Sequence, residues 1–462
     1  MITSFFILVL AFLLRLPLLS GSFWLDEAAQ ALESIRPLSA QLQIVDDFQP
    51  PLFHLIVHFF SLVSHQEWWL RMPSMIAGIA TIWILYRLLL EKFGKKTAII
   101  GSLLLATSPF HIFYSQELRP YALATFFATL SWYILVSETI KKRRWTWYTV
   151  VSTLGMYTMY LYPFLIASQI VYIWFEQRKK IKFVVFSQTI VALLFLPWLP
   201  TFLLQLQAGT TLTQSLPGWS LAVATPQLKA LPLILAKFFV GQVPFHGHPF
   251  FILSTAMILL LTAWLCLQSV RNPKLKLFWY WLIIPLLGSW IVSFFIPIIQ
   301  AKRVMLGLPA LLGIISLERK KLWKVIVILV FLLQGVSLFL YYTDQNIQRE
   351  NWRVVTSQIE MQSPENAAVL FSFRQPFAPW TWYEDKKIPV IVTGKIRIDQ
   401  ATDLSSVSSQ LDSVSIVYLF DYLTDLTDPA HQLQATLNDR GFEQIALIDG
   451  KQVGFVRIFK KL

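Results

Sequence analysis

The sequence predicts a polytopic α-helical membrane protein that carries a small C-terminal α/β domain. Three observations predict it: composition, the succession of apolar runs, and a change of sequence character after Tyr342. The 462 residues are 55% hydrophobic and 15% aromatic but only 14% charged, against about 25% charged in a soluble chain. Most of such a chain must therefore face lipid. The net charge of +13 does not indicate nucleic acid, because Lys and Arg fall in short clusters between apolar runs, as in the cytoplasmic loops of multispanning proteins. The single Cys266 lies inside an apolar run, so no disulfide can form within the chain.

About eleven runs are long enough, at ~20 residues, to cross a ~30 Å hydrocarbon core. They lie near 2–20, 74–91, 97–114, 121–138, 146–161, 163–175, 183–200, 250–269, 277–297, 304–317 and 325–342. The first has the look of a signal peptide, but Leu16-Pro17-Leu18 lacks a small-residue cleavage site, so it reads as a retained span. Lys92 to Lys96, Lys141 to Arg144, Arg178 to Lys180, Arg271 with Lys274 and Lys276, and Arg319 to Lys321 should all be cytoplasmic. That holds only if Pro51–Val63 does not cross. Its thirteen residues suit a helix lying in the interface better than a span. The outer face then carries 21–73 with its interfacial helices, the turn 108–120, the turn Tyr160 to Pro163, the loop 201–249, the turn 300–303 and the tail. This is a multi-pass protein of the cell (inner or plasma) membrane with extracytoplasmic loops and tail.

The tail, 343–462, loses the long apolar runs and gains Asp, Ser, Thr and Gln. Val369–Phe373, Pro389–Thr393 and Ser415–Phe420 read as buried strands. Ile445–Ile458 reads as a hairpin turning at Asp449-Gly450, and His431–Gly441 as a helix ending at its glycine. About 120 residues suffice for one small α/β domain, which leaves 1–342 as the membrane domain.

Charges on the outer surface of such a protein are few and invite a chemical reading. Asp26 and Glu27 follow the first span, Glu117 lies in the second outer turn, and Lys302 and Arg303 in a late one. Arg36, Arg71 and Arg119 join them. A carboxylate there can act as general base on a hydroxyl, and Lys or Arg can hold a lipid-linked phosphate. The bland alternatives stay open: the acids cap a helix N-terminus, and the cations snorkel to headgroups. His54 and His58 stand four apart on one helix face, a spacing that can hold a metal, with His246 and His248 as further ligands. A polar face turned to headgroups is favoured over a metal site, because no acidic ligand sits at a matching offset. Trp145, Trp147, Tyr148, Tyr157, Tyr160 and Tyr162 form an interface belt, in which Tyr160 and Tyr162 could also stack on a sugar.

Five stretches carry a resemblance. Trp24-Leu25-Asp26-Glu27 places an acidic pair after the first span, and Gln49-Pro50-Pro51-Leu52-Phe53-His54 is similar to His-Pro-Pro-Leu-Gly-Lys. Ser108-Pro109-Phe110 runs on through Ser115-Gln116-Glu117-Leu118-Arg119-Pro120-Tyr121. Lys302-Arg303 precedes Leu308-Pro309-Ala310, and Asn351-Trp352-Arg353 stands where Asp-Trp-Arg often opens a tail. In this order they resemble the membrane-embedded GT-C glycosyltransferases of the protein O-mannosyltransferase and aminoarabinose transferase group, its bacterial PMT_2 branch.

The resemblance implies an inverting transfer of a sugar from a polyprenyl-phosphate donor to an acceptor hydroxyl on a glycan, lipid or protein. It implies Asp26 as the catalytic carboxylate, Glu27 beside it on the acceptor, and Glu117 as second acid. Lys302 and Arg303 would face the donor phosphate, and Arg119, Gln49 and His54 would contact substrate. The last two depart from the pattern, with Gln49 in place of His and His54 in place of Lys. No cofactor is called for with certainty and no metal ligands are assigned, although a divalent metal stays open; no glycine-rich phosphate loop occurs. Membrane lipid, not nucleic acid, is the other partner. The rival reading is a multispanning transporter or flippase for a lipid-linked or anionic substrate, which should show mid-membrane acids in broken helices and repeated halves. A third is a structural membrane subunit whose tail recruits a partner.

Overall fold

The structure, a computed structural model, describes residues 2–45, 47–216, 218–243, 249–270, 272–317, 322–373 and 377–462, with the backbone alone at 221, 222, 249–251, 254, 265, 266 and 269. His246, His248, Arg271, Arg319, Lys320 and Lys321 lie outside the described residues, as does the Cys266 side chain. Two compact units form. One comprises residues 1–20, 34–206 and 223–347; the other comprises 21–33, 207–222 and 348–462.

The first unit is helical, and a helix lies on each of the eleven apolar runs. Among the described residues four helices are long and apolar enough to cross a membrane, Met72–Phe93, Arg178–Ser215, Pro273–Val292 and Leu322–Thr343, with a bent pair making a fifth. Met72–Phe93, 22 residues, is about 33 Å long at 1.5 Å per residue. It turns at Gly94, whose φ of +88° suits a residue without Cβ, and packs against both Lys95–Ala106 and Tyr121–Val136. Tyr162–Glu176 packs against Lys276–Val292, and Trp132 of Tyr121–Val136 stacks on Trp281 of Lys276–Val292 at 5.8 Å.

Three expectations are corrected. The run 97–114 is not straight: Lys95–Ala106 and Pro109–Ser115 meet at 60°. Pro109 cannot donate to the helix before it, and Ser108 caps the new one by accepting from the His111 N–H at 3.3 Å. The carbonyl of Ala106 freed at the break accepts from the buried Arg15 at 3.3 Å. The segment 201–249 is not simply a loop, since Leu199–Ser215 continues the preceding helix and Gln227–Val240 forms another. Its Gln and Thr residues hide a helix that an apolar-run reading misses.

The third correction concerns the histidines. Leu52–Ser61 is a helix of ten residues, about 15 Å long and too short to cross. Yet His54 and His58 lie on its buried face, while Phe59 is 57% and Val63 just beyond it 72% exposed. The helix exposes an apolar side and turns both imidazoles towards protein, so the polar side expected to face outward is buried.

In the second unit the tail builds a five-stranded sheet: β1 (Ala367–Phe371), β2 (Val390–Val392), β3 (Ile416–Phe420), β4 (Phe442–Gly450) and β5 (Gly454–Lys461). Their order is β2-β1-β3-β5-β4. The first three run parallel, and β5 and β4 are antiparallel. β1 is buried on both faces, as expected of a strand with helices on each side. Trp352, Ile359 and Trp380 pack on one face with Phe371 and Phe420; Val407, Leu433 and Leu437 pack on the other with Leu370 and Phe459. Leu25, from the segment after the first helix, packs into the first of these cores.

Candidate functional site

Asp26 and Glu27 occupy the first turn of the helix Leu25–Ser34, where carboxylates favour the positive end of the dipole. Their environments differ. Glu27 is fully buried and pairs with Arg349 at 3.6 Å, whereas Asp26 is half-buried. The segment is held by the tail of its own unit. The Phe23 N–H donates to the Tyr383 hydroxyl at 2.6 Å, and the Arg353 N–H donates to the Ser22 hydroxyl at 3.1 Å. Glu350 accepts from the Leu25 N–H, from Trp352 Nε1 at 2.6 Å and from the Tyr422 hydroxyl at 2.9 Å. Burial, assisted by the charge of Asp26, lifts the Glu350 carboxyl to about 7 despite these bonds. Glu350 and Arg349 were not among the residues singled out from sequence; the adjoining Asn351-Trp352-Arg353 was the only signal.

The first unit gathers Gln49, His54, Arg119 and Tyr160 into one network around a residue the sequence did not flag, Asp47. Arg119 forks onto Asp47 with 3.0 and 3.3 Å bonds. The Gln49 amide donates to Asp47 at 2.6 Å and lies 2.8 Å from His54 Nε2, itself 3.5 Å from Asp47. Gln205 donates to the carbonyls of Ile44 and Asp47, each at 2.8 Å, and of Gln49 at 3.3 Å. It accepts from the Tyr160 hydroxyl at 2.5 Å, which accepts in turn from Trp198 Nε1 at 2.9 Å.

Burial alone would raise the Asp47 carboxyl. The charges of Arg119 and His54 and the bonds from Arg119 and Gln49 outweigh it and hold it below its ordinary range. Burial pushes His54 down to about 4, with Arg119 and Arg36 adding to the effect and Asp47 opposing it. Neutral His54 can then accept the Gln49 proton at Nε2. His58 points elsewhere, its Nδ1 lying 2.8 Å from the Ser34 carbonyl. Among the described residues no three His, Cys, Asp or Glu gather as a metal site.

Glu117 is buried in the turn after Pro109–Ser115, its carbonyl accepting from the Arg119 N–H at 2.8 Å. Its neighbour Gln116 is held by the Tyr341 hydroxyl at 3.0 Å and by the Arg15 and Pro17 carbonyls. Lys302 sits with Nζ 5.4 Å from the Tyr121 ring centre, a cation–π distance. Arg303 closes its own turn by donating to the Ile298 carbonyl at 3.0 Å. Lys237, on Gln227–Val240, is a further cation here: burial first, then the charge of Lys302, lowers its pKa. Three cations, not two, thus belong to this part of the unit. Tyr162 lies apart from both groups. It is fully buried, and its hydroxyl bonds the Phe127 carbonyl and Ser131 at 3.1 and 3.2 Å. A Cβ at Gly155 would stand 2.1 Å from its ring.

Comparison with known proteins adds the following. Residues 48–201 match the model of the family described as dolichyl-phosphate-mannose-protein mannosyltransferase, a third of the chain that contains Gln49, His54, Glu117 and Arg119. No curated protein matches the sequence. Among solved structures, apo ArnT from Cupriavidus metallidurans is similar with a TM-score of 0.59 at 11% identity, covering 99% of this chain and 97% of that one. The same protein bound to undecaprenyl phosphate gives 0.50 at 10% identity, covering 100% and 97%. The archaeal oligosaccharyltransferase AglB from Archaeoglobus fulgidus, in complex with an inhibitory peptide and a dolichol-phosphate, gives 0.52 at 12% identity, covering 98% and 74%. The chain thus has the multi-pass helical fold of the GT-C membrane glycosyltransferases, with the PMT_2 family model matched over its residues 48–201.

Proposed function

We propose that the chain is an inverting glycosyltransferase that moves a sugar from a polyprenyl-phosphate donor to an acceptor hydroxyl on the outer face of the membrane. The observation that carries this reading is the family match over 48–201, and the carriers named with the similar ArnT and AglB structures support polyprenyl phosphate as the donor lipid. Asp26, the more accessible of the paired acids, takes the acceptor proton as the hydroxyl oxygen attacks the anomeric carbon. The bond from that carbon to the phosphate oxygen breaks on the opposite face. The lipid phosphate leaves, its charge met by Lys302, Arg303 and Lys237. Glu27, neutralised by Arg349, backs the acid rather than replacing it. Glu117 serves as second acid, and the Asp47 network shapes the substrate-facing loop around Gln49 and His54. The membrane domain spans 1–342, and the tail is the extracytoplasmic α/β domain. The acceptor is a glycan, a lipid or a protein.

The test is transfer from a labelled polyprenyl-phosphate sugar in membranes carrying Asp26→Asn. The variant should express and fold normally and lose transfer by at least a thousandfold, on the order of a lost general base. Near wild-type transfer would refute the assignment.

A further inference from the structure

The helix bearing Asp26 is stitched to the tail of its own unit at four successive places. Ser22 meets Arg353, Phe23 meets Tyr383, Leu25 meets Glu350 and Glu27 meets Arg349. The last two matter most, because Arg349 and Glu350 are adjacent and hold the residues just after and just before Asp26 in the chain. Arg349 neutralises the next acid along. Glu350 takes the backbone N–H that opens the helix, and its other partners are both rigid: Trp352 stacks on Phe420 at 5.5 Å and packs edge-on against Tyr422 at 5.3 Å. A carboxyl held by two aromatic donors fixed in the tail core cannot move without disturbing that core. Both carboxylate oxygens are engaged, one by Trp352 and one by Tyr422, so Gln would keep a bond to the Leu25 N–H but lose an acceptor for one of the other donors.

We propose that Glu350, with Arg349, is a positioning residue of the transferase, fixing the direction of Asp26 by holding the residues on either side of it in the chain. The inference rests on Asp26 being the base. Glu350 faces Asp26, the indole of Trp352 and Tyr422, whose phenol is itself held protonated by burial and by Glu350. Arg353 lies one step further, over the Tyr383 ring at 5.7 Å. With Glu350 titrating near 7, it is neutral below that pH and charged above it. Ionised Glu350 accepts from its three donors more strongly than the neutral acid does, so its hold on the helix bearing Asp26 tightens above that pH. The tail is then a working part of the transferase and not a cover.

Two measurements on the full-length protein test this. In hydrogen–deuterium exchange, Glu350→Ala should speed exchange of the amides of 22–28 at least tenfold while leaving β1 and β3 protected, and Glu350→Gln should largely restore protection. In pH–rate profiles, wild-type kcat should rise severalfold between pH 6 and 8. Glu350→Gln should show no such rise, at an unchanged donor KM. Unchanged exchange of 22–28 in Glu350→Ala would overturn the clasp, whatever the transfer rate. A pH rise kept intact in Glu350→Gln would overturn the part given to the ionisation of Glu350. Transfer retained by Asp26→Asn would instead overturn the base itself, and with it the catalytic half of the inference.

Discussion

Arg119 and Asp47, 72 residues apart, form a forked ion pair with bonds of 3.0 and 3.3 Å. The pair gives the loop before Leu52–Ser61 a fixed place against the turn that opens Tyr121–Val136. A guanidinium committed to a carboxylate in this bidentate fashion first of all orders the loop that carries Asp47 and Gln49.

Asp47→Asn should destabilise the protein by about 3 kcal/mol, because it leaves a largely buried guanidinium uncompensated. Arg119→Lys keeps the charge but loses the fork and should cost less. Thermal unfolding in detergent measures both. An Asp47→Asn melting temperature equal to wild type would show that the pair carries no stability.

His54 makes the same network sensitive to acid. Its imidazole is held neutral to about pH 4, whereas in the unfolded chain it protonates near pH 6.5. The folded pKa is the lower one, so the associated stability is complete above about 6.5 and drains away as pH falls towards 4. Its size is on the order of 3 kcal/mol for such a shift. Asp47, held below its ordinary range, adds a loss in the same direction at still lower pH. Melting temperature followed from pH 7 to 4.5 should fall steeply in wild type and more gently in His54→Gln.

Lys302→Ala and Arg303→Ala should each raise the KM for the polyprenyl-phosphate donor by about tenfold, the cost of one charge-assisted contact. Acceptor KM should stay unchanged. Lys237→Ala should act in the same direction, which sequence reading alone gave no reason to expect. Steady-state kinetics at saturating acceptor separate the effects, and an unaltered donor KM in all three would remove the phosphate role.

Tyr162→Phe should cost about 1 kcal/mol of stability, the loss of its hydroxyl bonds, with donor and acceptor KM untouched. Gly155→Ala should cost about 1–3 kcal/mol through overpacking against the same ring. A raised acceptor KM in Tyr162→Phe would return that residue to the sugar site.

Much of this architecture was legible along the chain. The apolar runs located most helices of the first unit, though not Gln227–Val240. The strand pattern of 369–458 located the tail sheet with the hairpin of β4 and β5, whose turn falls at 451–453 rather than at Asp449-Gly450, which pair within the strands. The i, i+4 spacing of His54 and His58 rightly put both on one helix face. These are local properties, written in hydrophobic periodicity and in turn residues such as Gly94 and Gly441, and they need no knowledge of neighbours. Which way that helix face turns is not local, nor is the partner of a charge. Asp47 is one of two adjacent aspartates in a loop until Arg119 reaches it. Glu350 is an ordinary tail residue until folding brings Leu25 against it from more than 300 positions away. Only tertiary packing removes such groups from water. Desolvation then forces each buried charge to find its partner, and that choice turned residues far apart in the chain into a network and an acid helix into a held one.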